Sequence, residues 1–198
     1  MRILAFGDLH GDRKALSKLL KKVTEDVDII ICLGDVGDWG EHDEKIISQF
    51  KRFGKPFLLI PGNHEHESGL SQIAEKFDFV AYLHKGCYEI NNYLFFGYGG
   101  GGFSKENTEF EKVVNKFAKT IKKDNVVITF THGPPIDTKL DLIPGFGHVG
   151  CKSIRKLILE VKPILHLCGH IHETFGEKEV LGKTLVVNPG PTGMKFDI

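Results

Sequence analysis

Five short apolar runs, each ending in a loop of metal-binding residue types, constrain this chain more than any other feature. Ile3 to Phe6 leads into Gly7-Asp8-Leu9-His10, Ile29 to Leu33 into Gly34-Asp35, and Phe57 to Ile60 into Gly62-Asn63-His64-Glu65. Val126 to Phe130 leads into Thr131-His132-Gly133, and Ile164 to Leu167 into Gly169-His170-Ile171-His172. Unbroken runs of this length read as strands buried on both faces. Helical patterns lie between them. Ala15, Leu16, Leu19, Leu20 and Val23 share one face, as do Ile46, Ile47, Phe50 and Phe53. A third helix carries Phe110, Val113, Val114, Phe117 and Ile121 behind a capping-box pattern, Thr108 to Glu111, and a fourth carries Ile154, Leu157, Ile158 and Val161. The alternation predicts a layered α/β domain. Cys87 to Ile90 and Tyr93 to Phe96 flank Asn91-Asn92 as a hairpin with a two-residue turn would, and Glu177 to Val180 and Thr184 to Asn188 flank Leu181-Gly182-Lys183 in the same way. The sheets are therefore expected to be mixed.

Ligands of open α/β sheets collect at the carboxyl ends of strands, so the five loops bring Asp, His and Asn to one edge. A single DxH or HxH pair arises easily by chance; five such loops on five strands carry far more weight. Carboxylate oxygen and neutral imidazole suit borderline divalent ions, with manganese favoured and zinc, iron or nickel as alternatives, whereas a thiolate site would need clustered cysteines. One carboxylate can bridge two ions about 3.5 to 4 Å apart, and Asp35 is the candidate bridge. Two divalent ions bring four positive charges and Asp8 and Asp35 remove two. The surplus favours a phosphate anion and lowers the pKa of bound water from about 15.7 toward ~7, making hydroxide available as a nucleophile.

The rest of the chain limits the alternatives. Its 198 residues, 41% apolar, suit one domain over 1–198. Lys plus Arg equals Asp plus Glu at 26 each, so charge balance points neither to a dedicated nucleic-acid surface nor to a membrane. No apolar run approaches the ~20 residues of a spanning helix, and the start lacks a signal-peptide core, which gives a cytoplasmic reading. Cys32, Cys87, Cys151 and Cys168 show no CxxC spacing and read as buried, reduced thiols. There are no internal repeats, and the oligomeric state is left open.

In this order, GDLH, GD, GNHE, THG and GHIH resemble the calcineurin-like metallophosphoesterase signature, from Asp8 to His172. The resemblance implies a four-layer α-β-β-α sandwich of mixed sheets and a two-metal phosphoester hydrolase acting on a small phosphoester. It also implies a ligand set: Asp8, His10, Asp35 and His172 for one ion, and Asp35, Asn63, His132 and His170 for the other. His64 resembles the family's general acid, and Asp38 the acidic residue that orients it in the protein-phosphatase branch, where a carboxylate would fix the tautomer and favour the protonated ring. That branch reads GDxxDRG, whereas this chain has Trp39, and an indole cannot replace a bidentate guanidinium. The stretch from Thr131 to Glu173 is more similar to small stand-alone metallophosphoesterases and to phosphodiesterases built on this domain. A phosphodiesterase is thus the favoured reading, with a phosphomonoesterase or protein-phosphatase-like enzyme as the alternative. A scaffold would be expected to lose catalytic histidines, and a repair nuclease needs extra DNA-holding domains.

Outside the motifs, His42 and His66 are expected at exposed helix starts, and His84 and His166 as partly buried, hydrogen-bonded histidines. His148, in the glycine-rich loop Gly145 to Gly150, is open between substrate contact and loop packing. Trp39 is open between stacking on a base and covering the core, with a pocket wall preferred. The run Gly97 to Gly102 lacks the GK[ST] of a phosphate loop and reads as a permissive turn beside the site.

Overall fold

The computed structural model describes residues 1–198. The first half runs β1 (Arg2–Phe6), α1 (Arg13–Leu20), β2 (Ile29–Cys32), α2 (Asp43–Ser48), β3 (Phe57–Leu59), α3 (Glu67–Ala74) and β4 (Val80–Tyr82). The second runs β5 (Gly86–Ile90), β6 (Tyr93–Tyr98), α4 (Thr108–Ala118), β7 (Val126–Thr131), β8 (Leu142–Ile143), β9 (Gly147–His148), α5 (Lys152–Val161), β10 (Leu165–Leu167), β11 (Lys178–Leu181), β12 (Thr184–Val187) and β13 (Met194–Asp197). One sheet has the order β13-β1-β2-β3-β4, the other β11-β12-β10-β7-β6-β5, and β8 and β9 form a separate small ribbon. Neighbours are parallel within each large sheet except at β13, β11 and β5, which pair antiparallel with β1, β12 and β6.

Period-two alternation along the strands separates three apolar cores. Ile3, Ala5, Ile31 and Leu58 of the first sheet face Phe95, Ile128, Phe130 and Leu167 of the second. On the far side of the first sheet, Leu4, Phe6, Ile30 and Phe57 pack against Leu16 and Leu19 of α1, Ile46 and Ile47 of α2 and Leu70 of α3. On the far side of the second, Leu94, Phe96 and Val127 pack against Phe110, Val114 and Phe117 of α4 and Ile154, Leu157 and Ile158 of α5. The result is the four-layer α-β-β-α sandwich, whose central strands are covered on both faces, while the edge strands β5, β11 and β13 alternate between exposed and partly or fully buried residues.

Local details depart from the sequence reading. Thr108 is not the cap of α4: Asn107 is, accepting from the Phe110 N–H at 2.9 Å, and Glu111 is drawn away to Ser153 and Lys156. Leu181 pairs with Thr184, which leaves Gly182-Lys183 as the turn of the last hairpin. Cys87 is exposed while the other three cysteines are buried, and all four are free. His166 is fully buried. Its ring lies against the hydroxyls of Thr129 and Thr131 at 2.8 and 3.2 Å, and burial pushes its pKa down to about 3. His42 and His66 stand exposed at the starts of α2 and α3, as expected, but the body of α3 and the edge strands β4 and β13 carry no sequence pattern clear enough to read, being short and half-exposed.

Candidate metal centre

Asp8, His10, Asp35, Asn63, His132, His170 and His172 all come to the carboxyl-end edge of the two sheets. The first four follow strands of the first sheet and the last three follow strands of the second. Asp8, Asp35 and His132 form the buried floor, while His172 and Asn63 are exposed at the mouth. Asp8, His10 and His172 present ligand atoms within 4.8 Å of one another, as do Asp8, Asp35 and His132. The Asp35 carboxylate is divided between two tasks. Its Oδ1 accepts from the His64 N–H at 3.0 Å, and its Oδ2 lies 3.5 Å from His10 Nε2 and 3.5 Å from His132 Nε2.

The loops hold this arrangement under strain. Asp8, His10, Asp35 and His170 adopt φ of 55°, 45°, 50° and 69°, a left-handed region that costs side-chain-bearing residues energy and recurs at functional sites. Two motif glycines make room for the carboxylates. A Cβ at Gly62 would stand 1.9 Å from Asp35 Oδ1, and one at Gly169 would stand 2.4 Å from Asp8 Oδ2.

These donors fit divalent cations. Burial lowers the pKa of His10 and His132 and takes His170 down to about 4, so the rings are neutral and carry lone pairs. A neutral His132 that donates its Nδ1–H to the Leu33 carbonyl, 2.9 Å away, has a bare Nε2, which faces Asn63 Oδ1 at 2.8 Å. In this arrangement two lone pairs face each other, and a cation between them would satisfy both. The Nε2 of His10 and that of His172 face each other at 3.2 Å, and buried His170 Nε2 has no hydrogen-bond partner. Burial pushes Asp8 up to about 8, with the charges of Asp35 and Glu65 adding, although the His170 N–H bonds its carboxylate at 3.0 Å. A positive charge would relieve that penalty.

His64 sits beside the cluster, its ring centroid 4.7 Å from that of His10 and 4.4 Å from that of Trp39. Its Nδ1 is buried without a hydrogen bond, and the exposed Asp38 carboxylate stands 3.9 Å away, beyond hydrogen-bond length. An open cleft of about 320 Å³ lies over the cluster, lined by His10, Asp35, Asn63, His64, His170 and His172 together with Phe103, Ile143, Ile171 and Glu173. His148 is not among these. Its Nδ1 bonds the fully buried Asp141 at 2.8 Å, which raises its pKa and ties the β8-β9 ribbon to the loop before it.

Two supporting residues escaped the sequence reading. Glu65, nearly buried, accepts from the N–H groups of Asp35, Val36 and Gly62 at 2.9, 2.6 and 2.6 Å, binding the second and third loops together. Burial and the charge of Asp35 push its pKa up to about 7, against the pull of those three donors. Asn188, fully buried after β12, donates to the Ile171 carbonyl and the Thr174 hydroxyl, both at 3.0 Å, and so holds the turn that carries His172. Asn188-Pro189-Gly190 is a sixth polar, glycine-bearing loop ending an apolar run, and the rule that found five loops could have found it.

This fold and this cluster define a class, and comparison with known proteins agrees. The sequence pattern of the calcineurin-like phosphoesterases matches residues 1–174, and the chain belongs to that family. It is 29% identical over 201 residues to the uncharacterized protein MJ1162 of Methanocaldococcus jannaschii, covering 96% of this chain and 88% of that one. It is 28% identical to the probable glycerophosphodiester phosphodiesterase GpdQ of Arcobacter nitrofigilis over 73% of this chain and 56% of that protein's length. Among solved structures, TT1561 of Thermus thermophilus superposes with a TM-score of 0.76 at 20% identity, covering 96% of this chain and 90% of that one. No helix is long and apolar enough to cross a membrane.

Proposed function

We propose that residues 1–198 form one catalytic domain that hydrolyses small phosphodiesters with two divalent ions. Asp8, His10, Asp35 and His172 would hold one ion, and Asp35, Asn63, His132 and His170 the other. The observation that carries this reading is Asp35 Oδ2, 3.5 Å from a histidine of each group while Oδ1 is occupied by a backbone N–H. Asp35 is thereby the residue that would contribute to holding both ions. Bound there, the ions would supply an acidified water as nucleophile and a Lewis-acid clamp on the phosphoryl oxygens. The oxygen–phosphorus bond to one alcohol breaks as water oxygen joins phosphorus, and His64 gives a proton to the departing oxygen.

The cleft lining supports a diester over a monoester. It contains no Lys or Arg, and Glu173 stands at its edge. A diester carries one negative charge where a monoester carries nearly two, so a site without cationic side chains suits the diester better. Similarity to a probable glycerophosphodiester phosphodiesterase adds support. Manganese suits the mixed oxygen and nitrogen ligands. The test is turnover of bis-p-nitrophenyl phosphate against p-nitrophenyl phosphate after chelation and reloading with single metals. Chelation should abolish both activities, manganese should restore them, and the diester should be the better substrate. Turnover with metal content verified as nil would overturn the two-metal reading, and a monoester preference would overturn the diester assignment.

A further inference from the structure

Three of the four exposed aromatic side chains other than histidine, Trp39, Phe103 and Phe175, lie against histidine rings that line the metal cleft. Trp39, Phe103, Phe146 and Phe175 are 71%, 60%, 84% and 37% exposed, and the remaining phenylalanines and all the tyrosines are at least partly buried. Trp39 and Phe175 end a continuous file of rings: Trp39 to His64 is 4.4 Å between centroids, His64 to His10 4.7 Å, His10 to His172 5.0 Å and His172 to Phe175 4.9 Å. Phe103 lies 4.7 Å from the ring of His170, and Phe146 caps the β8-β9 ribbon whose Ile143 lines the cleft.

Trp39 is the most informative of the four. It is the chain's single tryptophan, and it holds a left-handed φ of 53°, an outlier for so bulky a residue. One side of its indole is laid on His64 at an interplanar angle of 35°, and most of the ring is left open to solvent. A tryptophan covering the core would be buried. If His64 protonates the leaving oxygen, the leaving alcohol lies at His64 and its substituent reaches Trp39. Resting on the phosphodiesterase reading, we propose that Trp39 is a specificity-determining residue, a stacking platform for a planar ring on the leaving alcohol, of which a nucleoside is the fitting class. The absence of Lys and Arg from the cleft lining is consistent with an uncharged ring. A quaternary ammonium headgroup suits the geometry less. Such a group is held by several rings around one point, whereas Trp39 and Phe175 stand at opposite ends of the file.

A sole tryptophan at the site permits a direct test. Metal-loaded protein is titrated with a nucleoside 5′-monophosphate, phosphocholine and inorganic phosphate while Trp39 fluorescence is followed. Saturable quenching by the nucleotide alone is expected, and quenching by phosphocholine or by phosphate to the same extent overturns the proposal. In parallel, kcat/KM is compared for methyl nucleoside-5′ phosphate and methyl glyceryl phosphate, both alkyl diesters. The nucleoside-to-glyceryl ratio should fall about tenfold or more in Trp39→Ala, the factor equivalent to ~1.4 kcal/mol and within the range for base–aromatic stacking. Trp39→Phe should retain most of it. An equal fall on both esters would mean that Trp39 acts only through His64 and would overturn the platform. A wild type that cleaves both esters equally well sinks the stacking and leaves the diesterase standing. A wild type that cleaves neither sinks the diesterase reading, and the quenching result alone then decides the stacking.

Discussion

His64 lies outside both proposed ligand sets, although its ring nitrogen stands within 4.8 Å of ligand atoms of His10 and Asp38. Its backbone N–H is spent on Asp35 Oδ1, its ring lies between those of His10 and Trp39, and its Nδ1 is sealed from solvent. In the proposed role of general acid, Nε2 is then the nitrogen that would give its proton to the leaving oxygen. His64→Ala should leave the metals in place and slow cleavage of an alkyl diester by about 10² to 10⁴-fold, the usual worth of general acid catalysis. A nitrophenolate leaves readily without a proton, so bis-p-nitrophenyl phosphate should suffer much less. Rates on both ester types at matched metal occupancy decide the point, and equal losses would contradict the general-acid role. Asp38→Asn should have a far smaller effect on the same comparison. At 3.9 Å and well exposed, its carboxylate acts on His64 through water-screened charge and not through a hydrogen bond.

At the scale of elements, what could be read from sequence followed from burial and what could not followed from exposure or distance. The strands β1, β2, β3, β7 and β10 are covered on both faces, so their composition alone marks them, and the loops they feed were legible with them. The short half-exposed strands β4 and β13 take their conformation from the neighbours they pair with, Leu58 beside Ala81 and Leu4 beside Lys195, which no local pattern records. The same holds for Glu65. Adjacent to His64 in sequence, it reads as one more polar motif residue, and only the fold reveals that it accepts three N–H groups from two separate loops. Replacing it by Ala leaves those three buried donors without an acceptor, at about 1 to 3 kcal/mol for each that water cannot reach. Glu65→Ala should thus lose roughly 3 kcal/mol or more of stability, read from the urea midpoint, and lose metal affinity because Asp35 rides on the same loop. Glu65→Gln, which keeps one acceptor oxygen, should recover part of both. A Glu65→Ala midpoint equal to wild type would show that the two loops hold their positions without it.

For the whole molecule, the cluster is a junction between the two sheets. Asp8, His10, Asp35 and Asn63 follow strands of one, and His132, His170 and His172 follow strands of the other, so any ion bound among them ties the sheets at the edge where the loops are most strained. An unfolded chain offers no such site, so bound metal must stabilise the fold by mass action, about 2.7 kcal/mol for each ion present at a hundredfold excess over its Kd. In a chain of 198 residues, 1 kcal/mol moves the midpoint by about 2 to 4 °C, so each ion should raise Tm by about 5 to 10 °C. The two proposed ligand sets then make different variants informative. His172→Ala removes one ligand from one ion and should keep much of the metal-dependent rise, with close to full occupancy of the second position. Asp35→Ala removes the oxygen that faces both groups and should lose nearly all of the rise and both ions. Melting curves with and without chelator, paired with metal analysis, separate these cases. Equal occupancy and equal shifts in the two variants would remove Asp35 from the bridging role, and a wild-type Tm unmoved by chelation would show that the junction is held by the protein alone.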